Sequence, residues 1–276
     1  LTGEVIRTVH FERRFRGAYN DAGVVILPVG DGGGFMVGTT QNDVDSSTGG
    51  FLVRFDSSGQ VLHQHVVREP HNDLVSRALL TPENTILIAG AVGDTGSSRT
   101  DARLTCMDTL GAVLWRQTYS SVGSSMLNAL ALDQDGSIVI AGWADTTGSG
   151  DPDIFLARTD ALGQLAWSKV HGGRWADQAN AVIVAMDGSI VVAGSTASFG
   201  AQATDAYLMK CDPNGQTLWD RRYGAQSFDE AYDLLQAADS GFILAGSTRS
   251  IGYGGKDVYL IKTDSEGNAP APEIAP

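Results

Sequence analysis

The sequence predicts an all-β fold built from five copies of one four-stranded unit, and three observations carry that expectation. The first is a glycine at Gly38, Gly90, Gly142, Gly194 and Gly246, always 52 residues apart. The second is a set of residues that keeps the same phase: Asp56, Asp108, Asp160, Asp212 and Asp264, each followed three residues later by Gly59, Gly111, Gly163, Gly215 and Gly267, and preceded four residues earlier by Leu52, Leu104, Leu156, Leu208 and Leu260. The third is the run between these marks: short alternating or apolar stretches bounded by Asp-Gly turns, with no helix-length periodicity. Self-similarity at one fixed period means that each copy is one supersecondary unit.

The fourth copy shows the elements in order. Ala179 to Ala185 is an apolar-rich strand that ends at the Asp187-Gly188 turn, and Ser189 to Thr196 returns from it. After a loop, Asp205 to Cys211 alternates with period two. The Asp212-Pro213-Asn214-Gly215 turn then leads to Thr217 to Tyr223. The Asp-x-x-Gly turn has a local cause: the Asp side chain accepts hydrogen bonds from amides ahead of it, and Gly tolerates positive φ. Four short strands per copy, repeated in tandem, point to a five-bladed β-propeller. Its strands are named A to D outward from the axis.

The two ends support a closed ring. His63, Trp115, Trp167 and Trp219 share one phase of the D strand, and Phe11 stands 52 residues before His63. Phe15, Tyr119, His171 and Tyr223 share a second phase. The first ~15 residues therefore read as a D strand that precedes every blade. The fifth copy runs into Asn268-Ala269-Pro270-Ala271-Pro272, which cannot join a ladder freely. The N-terminal strand is expected to complete that blade by pairing with Asp257–Thr263. One domain over residues 1–267 and a Pro-rich tail or linker over 268–276 follow.

Composition excludes some functions. A net charge of −13 and a pI near 4.6 disfavour nucleic acid and anionic lipid as partners. No apolar run reaches the ~20 residues of a membrane helix. The chain opens on Leu1 rather than Met, which fits a removed signal peptide or trimming. Cys106 and Cys211 fall in non-adjacent copies and are expected to be free thiols.

The stretch from Asp205 to Thr248, which includes YLMKCDPNGQTLWDRRYG and AGST, resembles a tandem repeat of secreted bacterial and archaeal proteins. That pattern is Asp-x-x-Leu-x-Lys-x-Asp-x-x-Gly, then Trp, Tyr-Gly, Asp-x-Ala, Asp-Gly and Ala-Gly-x-Thr. The resemblance covers nearly the whole chain, strongest in copies three to five. It implies a β-propeller at an extracellular, periplasmic or cell-surface location, and no common activity.

Residues shared by all copies solve a packing problem common to all blades, so function is sought where the symmetry breaks. The A–B and C–D turns are tight and lie on one face. The longer D–A and B–C loops lie on the other, where a ligand is expected. There the D–A loops carry Asp21, Asp73, Asp177 and Asp229, with Ser125 in the third copy. These read either as a carboxylate ring around the channel mouth or as caps for the A strands. Tyr19, His71 and Trp175 share a phase just ahead, and Arg174 precedes Trp175. Exposed aromatics beside polar groups suit sugar stacking or a peptide contact. Trp143, Arg77 and Tyr232 also break the pattern.

The B–C loops hold Asp43-x-Asp45 and Asp151-x-Asp153, carboxylate pairs without a calcium-loop pattern, and the five His have no zinc spacing. No catalytic motif, metal or cofactor is expected. The function expected is a non-catalytic binding or scaffold module, monomeric or part of a larger chain, with a glycan or protein ligand. The alternatives are a glycan-acting hydrolase that uses the channel-mouth carboxylates, or a multivalent lectin.

Overall fold

The structure, a computed structural model, describes residues 21–41, 47–67, 71–94, 98–201, 203–252 and 255–270. These form five antiparallel sheets and no helix. Blade one holds β1 (Asp21–Pro28), β2 (Gly34–Gln41), β3 (Thr48–Phe55) and β4 (Val61–Val67). Blade two holds β5 (His71–Leu80), β6 (Thr85–Asp94), β7 (Thr100–Asp108) and β8 (Val113–Tyr119). Blade three holds β9 (Ser125–Leu132), β10 (Ile138–Ala144), β11 (Asp153–Thr159) and β12 (Leu165–His171). Blade four holds β13 (Asp177–Val184), β14 (Ile190–Thr196), β15 (Asp205–Cys211) and β16 (Thr217–Tyr223). Blade five has three strands among the described residues: β17 (Asp229–Gln236), β18 (Phe242–Thr248) and β19 (Asp257–Lys262). Each sheet pairs its strands in chain order, and the A strands of successive blades touch one another, so they line the axis.

The repeated turns behave as their chemistry requires. In blade four, Asp212 Oδ1 accepts from the amides of Asn214 (2.9 Å) and Gln216 (2.8 Å), while Gly215 N–H donates to Asp212 O. Asp56, Asp108, Asp160 and Asp264 make the same pair of contacts. On this tight-turn face a C-strand cation also reaches the A–B turn. Arg158 bonds Asp135 at 2.9 Å, Lys210 bonds Asp187 at 2.8 Å, Lys262 bonds Asp239 at 2.7 Å, and Arg54 bonds Asp31. Cys106 and Glu83 stand at these two positions in blade two, and Cys106 is a buried free thiol, as is Cys211.

The repeated glycine has a steric cause. Every A–B pair carries a β-bulge, and in blade four the register jumps between Ala179 and Ala181 opposite Gly194. The bulge pushes the Gln178 carbonyl toward Gly194, where a Cβ would stand 1.9 Å from that oxygen. Gly90, Gly142 and Gly246 meet the same carbonyl of their own A strands at 1.8–1.9 Å. The extra residue of the bulge is turned toward the next blade. Asn128 Nδ2 donates to Ala179 O, and Asn180 Nδ2 donates to Ala231 O, both at 2.8 Å.

The core lies between blades, not within them. Val139, Ala141 and Leu156 of blade three meet Ile190, Val192, Tyr207 and Met209 of blade four, all 3% exposed or less. The aromatic series of the D strand caps these junctions from outside. The rings of Trp115, Trp167 and Trp219 stand where a Cβ on Gly163, Gly215 and Gly267 would fall, and Trp167 Nε1 donates to Pro213 O at 3.2 Å. At the first junction His63 Nε2 is hydrogen-bonded to Leu110 O at 2.8 Å.

An ion pair crosses the axis: Arg77 of β5 reaches Asp233 of β17 at 3.0 Å, joining blades that are not consecutive. Among the described residues, none covers the face of blade five directed away from blade four. Val258 and Leu260 are 90% and 69% exposed, whereas the corresponding Ala206 and Leu208 of blade four are fully buried. Ile26 of blade one is likewise exposed. The strand expected over residues 1–15 lies outside the described residues, and no ring closure is seen among those that are described.

Candidate functional site

The long-loop face is built on the first residues of the A strands. Asp177 is 1% exposed, and its carboxylate is held by Gly173 N–H (2.9 Å) and by the Thr196 hydroxyl. Asp229 is fully buried and accepts from Ser250 Oγ (2.5 Å) and Ala225 N–H (3.1 Å). Asp21 accepts from Thr40 Oγ1 at 2.5 Å. Each carboxylate thus fastens a loop or the neighbouring B strand. In blade two the threonine of this series is replaced by Val92, and Asp73 instead pairs with Arg103 at 2.9 Å. Ser125 does the same work in blade three, bonding Tyr119 O and the amide of Ala102.

These four carboxylates pair with other groups rather than with one another. Asp177 lies beside Asp153, and Asp229 beside Asp205, each couple joining the first residue of a C strand to the first residue of the next A strand. Burial, then the neighbouring Asp177, raises the pKa of Asp153 above the usual carboxylate range. Burial, then Asp229, does the same to Asp205, with Arg222 opposing. Asp205 Oδ1 and Asp229 Oδ1 are both buried and have no hydrogen-bond partner among the described residues. Both residues crowd Gly224, whose Cβ would fall 2.4 Å from Asp229 Oδ2 and 2.9 Å from Asp205 Oδ1. Each Asp series is visible in the sequence by its 52-residue spacing, but their juxtaposition needs the packing of one blade on the next.

A folded-state pKa above the unfolded one means that ionising the group costs stability. The contribution of Asp205 is most favourable below its unfolded value near 3.8 and is lost as pH rises through its raised folded value. Asp205→Asn is therefore expected to raise Tm at pH 7. The gain should shrink as the pH is lowered below about 4, as thermal melts across pH will show.

Trp175 stands apart. It is 52% exposed, yet its backbone is pinned: its N–H donates to Ser198 Oγ, and Ser198 Oγ donates back to Trp175 O, both at 3.0 Å. The Arg174 guanidinium lies 5.0 Å from the ring centroid. Across the adjoining B–C loop, Phe199 is 48% exposed at a positive φ of 53° and stacks on Tyr207 with centroids 6.1 Å apart. Phe199 was not singled out by sequence reasoning, because nothing in the repeat marks the conformation that turns it outward.

The remaining candidates are dispersed. Arg77 is engaged in the axial pair with Asp233. Tyr232 is partly exposed and its hydroxyl is shared among Glu230, Ser247 (2.9 Å) and Lys256 (2.5 Å). Trp143 sits half-buried on β10 between Met126 and Ile154 of the flanking strands. Tyr19, Asp43, Asp45 and the His71 side chain lie outside the described residues. Among the described residues no group of three or more His, Cys, Asp or Glu is placed to hold a metal ion.

Comparison with known proteins agrees with this architecture. A family model described as a domain of unknown function (DUF5122) beta-propeller matches residues 134–165, which span the A–B turn to the start of β12 in blade three. The chain is 28% identical over 178 residues to the regulatory protein FlaEY of Caulobacter vibrioides, a match that covers 55% of this chain and 19% of that protein. Among solved structures, a puromycin hydrolase aligns with a TM-score of 0.55 at 14% identity, over 92% of this chain and 39% of its own. Sqt1 from Chaetomium thermophilum aligns with a TM-score of 0.50 at 13% identity, over 91% of this chain and 61% of its own. At such identities the likeness is one of fold, and in fold this chain is an all-β protein of repeated propeller blades.

Proposed function

We propose that the chain is a non-catalytic binding or scaffold module of a secreted or cell-surface protein, with its ligand on the long-loop face of blade four. The observation that carries this reading is Trp175: a large ring left half in solvent on a loop whose backbone is fixed. A pre-organised exposed indole binds without losing much side-chain freedom. Phe199 and Arg174 extend the surface with a second ring and a planar donor. A neutral glycan or a protein segment suits such a platform, and the acidity of the chain disfavours an anion. Glycan and peptide arrays identify the ligand class. Trp175→Ala should then cut affinity about tenfold or more while Tm stays within about 1 °C, because the ring itself packs little. Equal binding by the variant would sink the proposal.

A second reading is a glycan-acting hydrolase, favoured by the Asp153–Asp177 and Asp205–Asp229 couples with their raised Asp153 and Asp205 pKa values. Its test is turnover on the glycan panel, lost on Asp205→Asn and Asp153→Asn. A multivalent lectin would show several equivalent sites by calorimetry.

The platform requires a stable ring, and residues 1–15 are proposed to supply the D strand of blade five in a single domain over 1–267. The register follows blade four, where Lys210 faces Trp219 and Leu208 faces Arg221. Lys262 would then face Phe11, and Leu260 would face Arg13. Deleting residues 1–15 is expected to lower Tm by about 5–10 °C. A Leu260→Cys, Arg13→Cys double variant should form a disulfide under mild oxidation; failure of both results would refute this closure.

A further inference from the structure

The surface around Trp175 extends past its own loop. Gly173 sits against Phe199, where a Cβ would fall 3.7 Å from Phe199 Cε1, and Gly200 sits against Arg222, where a Cβ would fall 3.5 Å from Arg222 Nη1. The loop before β13 and the B–C loop of blade four therefore present one continuous surface of Arg174, Trp175, Phe199 and Arg222, all exposed. Arg174 lies against the Trp175 ring, and Arg222 acts on Asp205 and Tyr207 through its charge. Neither guanidinium forms a hydrogen bond or ion pair with a carboxylate among the described residues, Asp220 two residues before Arg222 included. Asp177 is buried beneath and already holds Thr196 and Gly173.

The chain carries a segment of complementary chemistry. After the turn of blade five it reads Pro270-Ala271-Pro272-Glu273-Ile274-Ala275-Pro276, proline-rich with one acidic side chain. A polyproline II strand has three residues per turn, so Pro270, Glu273 and Pro276 fall on one edge, about 9 Å apart. That edge offers a ring, a carboxylate and a ring. Such strands dock on aromatic surfaces because they are extended beforehand and lose little freedom. A carboxylate meets guanidinium groups through charge-assisted hydrogen bonds. The segment departs from the tight-turn face: Asn268 N–H donates to Asp264 Oδ1 at 2.8 Å, and Ala269 packs on the cluster between blades four and five. Residues 270–276 reach about 22 Å in this form, and the length of one strand such as β16 takes about 23 Å. The segment is used up in reaching the long-loop face of its own chain, so the platform it can lie along is that of a second copy.

We propose, resting on the reading of Trp175 as a binding surface, that this platform holds residues 270–276 of a second copy of the chain, laid across it as a polyproline II strand. The prolines stack on the exposed rings, and Glu273 meets Arg174 and Arg222. Each copy has one platform and one segment, so the contact is head-to-tail and open-ended, or reciprocal within a pair.

The test titrates the whole chain, at low concentration, with a peptide of residues 268–276 blocked at both ends, followed by amide chemical shifts. Saturable shifts are expected at Arg174, Trp175, Ser198, Phe199 and Arg222, and Trp175→Ala should abolish them. A Glu273→Gln peptide should bind about tenfold more weakly, and so should the native peptide on an Arg222→Gln chain. A peptide with Pro270, Pro272 and Pro276 replaced by alanine should lose most of its affinity. Sedimentation of the whole chain should show a mean mass that rises with concentration, and removal of residues 270–276 should hold it at the monomer. No saturable shift, shifts outside the platform, equal binding of the altered peptides, or a mass that stays constant would overturn the proposal. A glycan that binds the chain and is lost on Trp175→Ala, while the peptide gives no shift, overturns the peptide as partner and leaves the platform standing. If Trp175→Ala alters the binding of neither, the platform falls with it.

Discussion

Gly194→Ala is expected to unfold blade four and to cost more than about 4 kcal/mol. A Cβ there would stand 1.9 Å from the Gln178 carbonyl and about as close to Ala179 Cα as 3.0 Å. Both are backbone atoms, so no side-chain rotation relieves the overlap. The only escape is to flatten the bulge at Ala179 and Ala181, which would swing Asn180 away from Ala231 O and break the link to blade five. Urea melts should show the transition midpoint fall sharply, and loss of the far-UV β signal at room temperature is the extreme form of the same result. Gly136→Ala offers a contrast: its Cβ would meet nothing within 4 Å, and its cost comes from positive φ alone, about 1 kcal/mol. A Gly194→Ala protein as stable as Gly136→Ala would contradict the steric account.

Trp219→Ala is expected to cost about 3 kcal/mol. Its ring lies 6.1 Å from that of Phe242, carries the Arg221 guanidinium at 5.3 Å, and covers Gly267 in the closing turn of blade five. Truncation opens the junction between blades four and five, where Phe242 is fully buried. Chemical denaturation followed by far-UV circular dichroism measures the loss, since Trp115, Trp143, Trp167 and Trp175 all remain and would mix in the fluorescence. The pairing of this variant with Trp175→Ala is informative. Two tryptophans in one half of the molecule should give opposite results, one lost in stability and the other lost in binding.

Much of this architecture was legible in the sequence because the repeat repeats its constraints. Asp212 and Gly215 announce a turn by chemistry that acts over four residues, and the strands of the fourth copy begin and end within about two residues of expectation. Gly194 was visible as invariant, but its reason was not, since the bulge that drives a carbonyl against it is a property of paired strands. The same limit governs the site. Asp177 and Asp229 could be named from their phase, yet their partners Thr196, Ser250, Asp153 and Asp205 come from other strands and other blades. Trp175 was legible as an oddity, and its exposure came from the loop geometry.

The bulge asparagines also bear on how the molecule assembles. Each blade is a meander of adjacent hairpins, so its pairings are close in sequence and can form early. Asn128 and Asn180, by contrast, engage carbonyls of the inner strand 51 residues further along the chain. They find their acceptors only when the following blade has already formed its own bulge. The order of events is thereby biased from hairpins to blades to ring, with each asparagine acting as a latch that scores the completion of its successor. In blade five the latch position is Tyr232, turned instead onto Glu230, Ser247 and Lys256 of its own blade. The sheet of blade five therefore has a tether of its own and does not wait for a following inner strand.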